Sequence, residues 1–189
     1  MKHFNNFILA SKSPRRKQLL SEAGFSFKVK TIDFEEVFPA DLSVEKVAEY
    51  LAVEKNKAHR SQFGDELIVT ADTVVIFSGQ ILGKPKDLNE AKKVLEILSG
   101  KIHSVISGVC ISNKDKTVSF SSTTEVKFHE LAVDEIDHYV SSWPPTDKAG
   151  SYGIQEWIGL IGVEWIKGSF YNVVGLPVDT LYRVLQKEF

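Results

Sequence analysis

The sequence contains a single cysteine, Cys110, among its 189 residues. One thiol cannot close a disulfide within the chain, and it excludes a metal centre built from several cysteines. Cys110 lies in the strand-like run VISGVCIS, so we expect it to be a small buried core residue. A chain without internal disulfides is typical of the reducing cytoplasm, where we expect this protein to act.

The sequence also lacks long apolar runs and an excess of basic residues. No run approaches the roughly 20 residues that span a membrane, and the short apolar patch FILA near the start does not match a signal peptide. The formal net charge is −2, whereas proteins that bind long nucleic acids usually carry a basic surface. We therefore expect neither a membrane nor a nucleic acid as a partner.

Predicted strands and helices alternate, and consecutive strands fill residues 101–131, which favours a mixed sheet. Helices are predicted over about 14–23, 43–61, 87–100, 133–142 and 177–189. The aromatic fragment FYNVV, residues 170–174, is predicted to be a strand. We expect one α/β domain over residues 1–189, with two lobes around a central cleft that the Gly- and Pro-rich stretch 144–175 helps to shape.

Two adjacent arginines stand where a helix is predicted to begin. Ser13 is the expected N-cap and Pro14 the first helical residue, so Arg15 and Arg16 fall in the first turn, where the helix dipole disfavours positive charge. A bound anion would remove this conflict, because free backbone N–H groups, guanidinium groups and the Ser11 hydroxyl all bind phosphate oxygens. The alternative is a solvated first turn without a ligand.

Lys55 lies on the apolar face of a predicted helix, in register with Ala48 and Leu51. An inward lysine either extends its ammonium group to the rim of the core or meets an anion. Asp72 interrupts the apolar run IVTADTVVIF, and a buried carboxylate must be paired, hydrogen-bonded or bound to a metal. Local backbone N–H groups would satisfy it as a structural residue, whereas the functional alternatives are a metal ligand or a general base.

Charged residues also stand beside three turns. Pro85 holds Lys84 extended in ILGKPKD, although an ordinary turn lysine has the same pattern. In DFEEVFP, either of two adjacent glutamates, 35 and 36, could join an aspartate in holding Mg²⁺, or both could be solvated. In PPTDKAGSYGIQ, the glycines permit close approach of a ligand, and Lys148 and Gln155 offer polar contacts, of which a glutamine can read the edge of a base.

Each signal is weak alone, but the combination is more specific. Four cations together with acids are what a site for Mg²⁺ and a polyphosphate requires; the cations are Arg15, Arg16, Lys55 and Lys84. The five histidines show no ligand spacing. The sequence has neither the P-loop nor the dinucleotide-binding glycine pattern, which disfavours a P-loop NTPase and a nicotinamide enzyme.

The motifs resemble, in order and over almost the whole chain, those of the Maf family of nucleoside triphosphate pyrophosphatases. They are LASKSPRRKQLL, ADTVV, ILGKPKD, LSGKIHSVISGV, DKAGSYGIQ and GSFYNVVGLPV. The resemblance implies an elongated mixed β-sheet with flanking helices and a deep cleft, like that of the inosine triphosphate pyrophosphatases. It also implies a divalent cation, Mg²⁺ or Mn²⁺, a homodimer, and cleavage of a nucleoside triphosphate to the monophosphate and pyrophosphate.

The resemblance carries residue roles as well. Asp72 would be the proton acceptor, Asp72 and Glu36 would hold the metal, and Lys55 and Lys84 would complete the catalytic set. The substrate would be bound by Ser11, Arg15, Arg16, Thr73, Lys148 and Gln155, of which Arg15, Thr73 and Gln155 match positions tied to substrate choice.

The form DKAGSYGIQ resembles the branch that acts on dTTP and UTP, in the house-cleaning of nucleotide pools. One departure is the pair Glu156-Trp157, where the family commonly has a small residue after the glutamine, and it could alter the rim of the cleft. Two other functions remain open at this point: a 7-methyl-GTP pyrophosphatase, and a non-catalytic nucleotide-binding regulator of septum formation.

Overall fold

The computed structural model describes residues 5–189 and has the predicted alternation of strands and helices. The strands are β1 (Asn5–Leu9), β2 (Ser26–Val29), β3 (Ile68–Phe77), β4 (Gln80–Leu82), β5 (Ile102–Ser112), β6 (Thr117–Phe128) and β7 (Val163–Lys167). The helices are α1 (Pro14–Glu22), α2 (Val47–Phe63), α3 (Leu88–Leu98), α4 (Val133–Ser142), α5 (Trp157–Gly162), α6 (Phe170–Val174) and α7 (Val178–Glu188). Short 3₁₀ turns cover Val44–Lys46 and Ala149–Ser151.

Within residues 5–189, the seven strands form one mixed sheet. The order is β2-β1-β3-β5-β6-β7, and β4 pairs with β3. Strand β1 runs parallel to β2 and β3, whereas β4 is antiparallel to β3 and β7 is antiparallel to β6. The prediction of a mixed-sheet α/β protein is therefore confirmed. No helix among these residues combines the length and the apolar character needed to cross a bilayer.

The chain divides into two compact units. Of the described residues, unit 1 contains 5–72, together with Ser107–Ser122 and Gly175–Phe189. Its core is aliphatic and aromatic, and its buried residues include Phe7, Ile8, Leu9, Leu20, Val47, Leu51, Ile68 and Val109. Unit 2 contains Thr73–Ile106 and Thr123–Val174. Its buried residues include Ala91, Leu95, Leu98, Val105, Val126, Phe128, Ile136 and Tyr139.

Helix α1 begins and ends where the sequence predicts. The Ser13 side chain accepts a hydrogen bond from the Arg16 backbone N–H, and Pro14 is the first helical residue, where a missing N–H costs nothing. Gly24 follows the helix with a backbone φ of +76°, a conformation that residues other than glycine rarely adopt. Both arginines therefore do lie in the first helical turn.

The prediction of a strand at FYNVV is wrong, because residues 170–174 form α6. The cause is the side chain of Asn172, which donates to the Val105 carbonyl at 3.0 Å and contacts Thr124 Oγ1 at 3.0 Å. Ser169 Oγ also accepts from the Asn172 backbone N–H at 3.4 Å. Buried polar groups require such partners, and this need outweighs the strand propensity of the aromatic and β-branched residues.

Helix α2 packs directly on β5 at Gly108, where there is no room for a side chain. A Cβ atom on Gly108 would lie 2.3 Å from backbone atoms of Ala48 and Glu49. Backbone atoms cannot rotate away, so we expect Gly108→Ala to lower the free energy of unfolding by about 3 kcal/mol. Urea unfolding followed by circular dichroism measures the loss. Gly83→Ala is the matched control, because a Cβ there meets nothing within 4 Å; an equal loss in both variants would contradict the close approach.

Candidate active site

Three buried contacts fix α2 against the sheet and so determine where Lys55 lies. Gly108 permits the close approach described above. Thr70 Oγ1 in β3 donates to the Ala52 carbonyl of α2 at 2.7 Å. The Asn56 side chain, one residue beyond Lys55, donates to the carbonyl groups of Ile68 and Cys110 at 3.3 and 3.2 Å. Because these groups are buried and paired, the helix cannot rotate without leaving several of them unsatisfied.

The Lys55 ammonium group contacts two carboxylates. Its Nζ lies 2.6 Å from Glu36 Oε1 and 2.5 Å from Asp72 Oδ1, and we call these three residues the Lys55 cluster. The Lys55 and Asp72 side chains are 13% and 11% exposed, whereas Glu36 is 44% exposed. Two negative charges against one positive charge leave the cluster with a formal charge of −1, which is a favourable place for a second cation.

The Lys55 cluster shows which partners these predicted residues have in the fold. The inward lysine meets an anion, and the carboxylate of Asp72 in the buried strand has an ammonium group as a partner. Of the two adjacent glutamates, Glu36 is the one that reaches Lys55. Burying the charges of Lys55 and Asp72 costs desolvation energy, which the close hydrogen-bonded contact between them must offset.

The Arg16 side chain extends away from α1 and donates hydrogen bonds to backbone carbonyl groups, one of them on Ala71, which precedes Asp72. Its Nε donates to the Gly175 carbonyl at 2.8 Å, and Nη1 donates to the Ala71 carbonyl at 2.9 Å and to Ser11 Oγ at 3.2 Å. Burial lowers the pKa of Arg16, with the charge of Asp72 acting in the opposite direction, but an arginine remains protonated in any case. The first turn of α1 thus brings a permanent positive charge beside the residue that precedes Asp72.

In unit 2, Lys148 is also held between two carboxylates. Its Nζ lies 3.1 Å from Glu156 Oε1 and 3.2 Å from Asp147 Oδ1, and its side chain is 9% exposed. Glu156 Oε2 accepts a hydrogen bond of 2.5 Å from the Tyr139 hydroxyl, which itself accepts from the Gly153 N–H at 3.0 Å. Sequence reasoning treated Glu156 only as a departure from the family pattern; its place three residues after Gly153 and next to Gln155 is the signal that could have found it.

The other predicted residues of unit 2 lie on the same segments. The Gly150 N–H donates to the Gly83 carbonyl at 3.3 Å, which joins the turn before Lys84 to the segment after Lys148. Lys84 and Gln155 are exposed, and Thr73 is half-buried. A Cβ on Gly150 would lie 2.9 Å from the Val75 side chain, and its φ is +68°, so a glycine is required there.

The predicted site residues therefore form two groups, one in each unit. Unit 1 contains Ser11, Arg15, Arg16, Glu36, Lys55 and Asp72, and unit 2 contains Thr73, Lys84, Lys148 and Gln155. Among residues 5–189, no three side chains of histidine, cysteine, aspartate or glutamate cluster as a metal centre. A divalent cation at the Lys55 cluster would need further ligands from a substrate or from water.

Lys55→Met tests the electrostatic role of the cluster. Removing one partner of a buried ion pair leaves an uncompensated charge, so we expect a loss of about 3 kcal/mol in the free energy of unfolding, at the low end for buried pairs because Glu36 is partly solvated. The double variant Lys55→Met/Asp72→Asn should recover much of this loss, which a double-mutant cycle by urea unfolding measures. Lys57→Met, on the exposed side of α2, is the control. Strict additivity of the two changes would show that the pair is not coupled.

Tyr152, in the segment just before Gln155, forms a buried hydrogen-bonded pair with His103. Tyr152 and His103 Nε2 share a hydrogen bond of 2.7 Å, and both rings are almost fully buried. Burial lowers the pKa of His103 to about 4. The other ring nitrogen, Nδ1, has no partner among the described residues, so protonation would bury an unpaired donor.

His103 should make the stability depend on pH. Between about pH 6.5 and 4 the unfolded chain protonates this histidine and the folded protein does not, so stability falls as the pH falls, by about 2–3 kcal/mol at pH 4.5. In His103→Gln this part of the loss should disappear. Urea unfolding at pH 7 and pH 4.5 compares the two proteins, with the exposed His129→Gln as control. An equal loss in His103→Gln and in the parent would refute the assignment.

The sequence matches the model of the family described as Maf-like protein over residues 6–188. The chain is 52% identical over 182 residues to the dTTP/UTP pyrophosphatase of Phocaeicola vulgatus, covering 95% of this chain and 94% of that protein. It is 51% identical over 183 residues to the dTTP/UTP pyrophosphatase of Porphyromonas gingivalis, covering 95% of this chain and 92% of that protein.

Two solved structures share the fold at low sequence identity. The Staphylococcus aureus Ham1 protein matches with a TM-score of 0.57 and 14% identity, over 98% of this chain and all of that chain. A Ham1 protein from Coxiella burnetii matches with a TM-score of 0.54 and 16% identity, over 97% of this chain and 99% of that chain. At these identities the likeness concerns the fold alone.

Proposed function

The chain belongs to the Maf-like protein family, and from that premise we propose that it hydrolyses dTTP and UTP to the nucleoside monophosphate and pyrophosphate. The Lys55 cluster carries the structural side of this proposal, because it sets two carboxylates and an ammonium group in contact at the middle of the buried strand β3. The curated relatives at about half identity, which are named dTTP/UTP pyrophosphatases, support the choice of substrate. Such an enzyme would act on the cytoplasmic nucleotide pool in a house-cleaning role.

The Lys55 cluster fits a divalent cation by the chemistry of its donors. Asp72 and Glu36 each bring one carboxylate oxygen to the same ammonium group, so these two oxygens converge on one cation already. Mg²⁺ and Mn²⁺ prefer carboxylate, phosphate and water oxygens. We assign Asp72 and Glu36 as the residues that would hold the ion. When bound, it would neutralise phosphate charge and make water more acidic.

In the reaction that we propose, a water oxygen attacks the α-phosphorus and the bond to the bridging oxygen of the pyrophosphate breaks. Asp72 accepts the proton from the attacking water. Lys55 holds Asp72 and Glu36 in place through its two hydrogen bonds. Positioning and electrostatics of this kind account for most of the catalysis of phosphoryl transfer.

We assign the remaining cations to the phosphates. Arg15, half-buried in the first turn of α1, would contact phosphate oxygens directly. Arg16 already donates to two backbone carbonyl groups and to Ser11, so it would act by its charge and by fixing the chain before Asp72. Lys84, which is exposed in its turn, would add to the positive charge.

Choice of the substrate is assigned to Arg15, Thr73 and Gln155, as the family resemblance implies, and Lys148 is assigned to substrate binding. Gln155 is exposed and carries both a donor and an acceptor, which a pyrimidine edge could use together. The dimer that the resemblance implies is part of this proposal. A panel of canonical and modified triphosphates, including 7-methyl-GTP, assayed with Mg²⁺ and with Mn²⁺, tests the substrate class.

Asp72→Asn should abolish most of the activity. The amide cannot accept the proton from water, so we expect kcat for dTTP to fall by about 10²–10⁴-fold. Release of pyrophosphate, followed by a coupled phosphate assay, measures the rate. Asp115→Asn in the exposed turn between β5 and β6 is the control and should keep the parent rate.

Hydrolysis of dTTP by Asp72→Asn at the parent rate would refute the assigned base. Binding of dTTP by the parent protein without release of pyrophosphate would favour a nucleotide-binding regulator instead. A rate that is higher with 7-methyl-GTP than with dTTP and UTP would move the chain to the other substrate branch.

A further inference from the structure

We propose that Glu156 is a positioning residue that determines which base the protein accepts, by fixing the turn that carries Gln155. This inference rests on the proposed function, because it concerns how a nucleotide is selected. The turn consists of residues 153–156, and we call it the Gln155 turn. The Glu156 N–H donates to the Gly153 carbonyl at 2.9 Å and closes it.

The Glu156 side chain joins the end of segment 148–156, which contains this turn, to the start of the same segment and to α4. One carboxylate oxygen contacts Lys148 Nζ at 3.1 Å, at the start of the segment, and the other accepts from the Tyr139 hydroxyl at 2.5 Å. Tyr139 is fully buried in α4, and its hydroxyl also accepts from the Gly153 N–H. The side chain of Glu156 is only 18% exposed, so its charge depends on these partners.

The Glu156 side chain does not cap α5, the helix that it precedes. It occupies the N-cap position of α5, yet its side chain makes no capping hydrogen bond there. Serine, threonine, asparagine and aspartate are preferred at this position because their shorter side chains reach the free N–H groups of the helix. The Glu156 carboxylate instead extends back over the turn toward Lys148 and Tyr139.

Two glycines make this arrangement possible. A Cβ on Gly153 would lie 2.7 Å from the Glu156 carboxylate carbon and 2.9 Å from Gln155 Nε2, so both side chains occupy the space above Gly153. A Cβ on Gly159 would lie 1.7 Å from the Ile154 carbonyl oxygen, so α5 lies directly against the turn. The carboxamide nitrogen of the exposed Gln155 therefore lies directly over Gly153, in a turn that the Glu156 N–H closes.

Lys148 also acts by positioning the Gln155 turn. Its ammonium group lies between Asp147 and Glu156, and its side chain is buried. Two carboxylates already compensate its charge, so Lys148 contributes to nucleotide binding through the position of the Gln155 turn more than through its own charge. Loss of the Glu156 charge would release this contact and let Gln155 move relative to the base.

The test is the selectivity of Glu156→Gln between dTTP and GTP. The amide keeps the shape and an acceptor for Tyr139 but loses the charge that Lys148 requires. We expect the ratio of kcat/KM for dTTP to that for GTP to fall by about tenfold or more, through a higher KM for dTTP, with kcat within about threefold of the parent. Tyr139→Phe, which keeps the ring and removes the hydroxyl, should lower the same ratio. Glu164→Gln, an exposed carboxylate on β7, is the matched control.

Several results would overturn the inference. One is a dTTP-to-GTP ratio within about threefold of the parent in both variants. Another is an equal loss of kcat/KM for every nucleotide, which indicates general structural support. If the parent protein hydrolyses no nucleotide, the proposed function fails, and the inference is then decided by calorimetric binding of dTTP and GTP: an unchanged ratio of Kd values, or no discrimination by the parent, refutes it.

Discussion

The contact of one lysine ammonium group with two carboxylates is the constraint on which unit 1 depends. Neither Asp72 nor Lys55 could be as buried as it is without a charged partner, because an unpaired charge in the interior is far too costly. The contact requires α2 at a fixed distance from β3 and β5, which Gly108 permits and the side chains of Thr70 and Asn56 enforce. Close packing and charge pairing therefore support one another.

A similar group of charges occurs in unit 2, where the surrounding hydrogen bonds differ. Lys148 also lies between two carboxylates, but one of them, Glu156, is bound in addition by the hydroxyl of Tyr139. The Lys55 cluster keeps a partly exposed carboxylate, which suits an exchange of partners during catalysis. In contrast, Glu156 is shielded and doubly held, which suits a fixed support. Under the two proposals, a lysine between two carboxylates would serve chemistry in one case and position in the other.

The paired arginines show how a local conflict is resolved by tertiary structure. At the start of α1 they oppose the helix dipole, yet Arg16 directs its guanidinium group to carbonyl oxygens near Asp72 and Gly175. A guanidinium group with partners at fixed positions loses little entropy when a ligand binds. In the proposed reaction, such a group would add a permanent positive charge near the phosphates.

The sequence by itself determined most of the helices and strands and the inward positions of Lys55 and Asp72. The cap Ser13, the inward face of α2 and the interrupted strand around Asp72 depend on near neighbours along the chain, so periodicity and capping rules predicted them. Contacts between distant residues were decided only in the folded structure, since they depend on packing. Glu36 rather than its neighbour reaches Lys55 across 19 positions. The FYNVV segment became a helix because Asn172 found buried partners, and Glu156 contacts Lys148 and Tyr139 only in the folded chain.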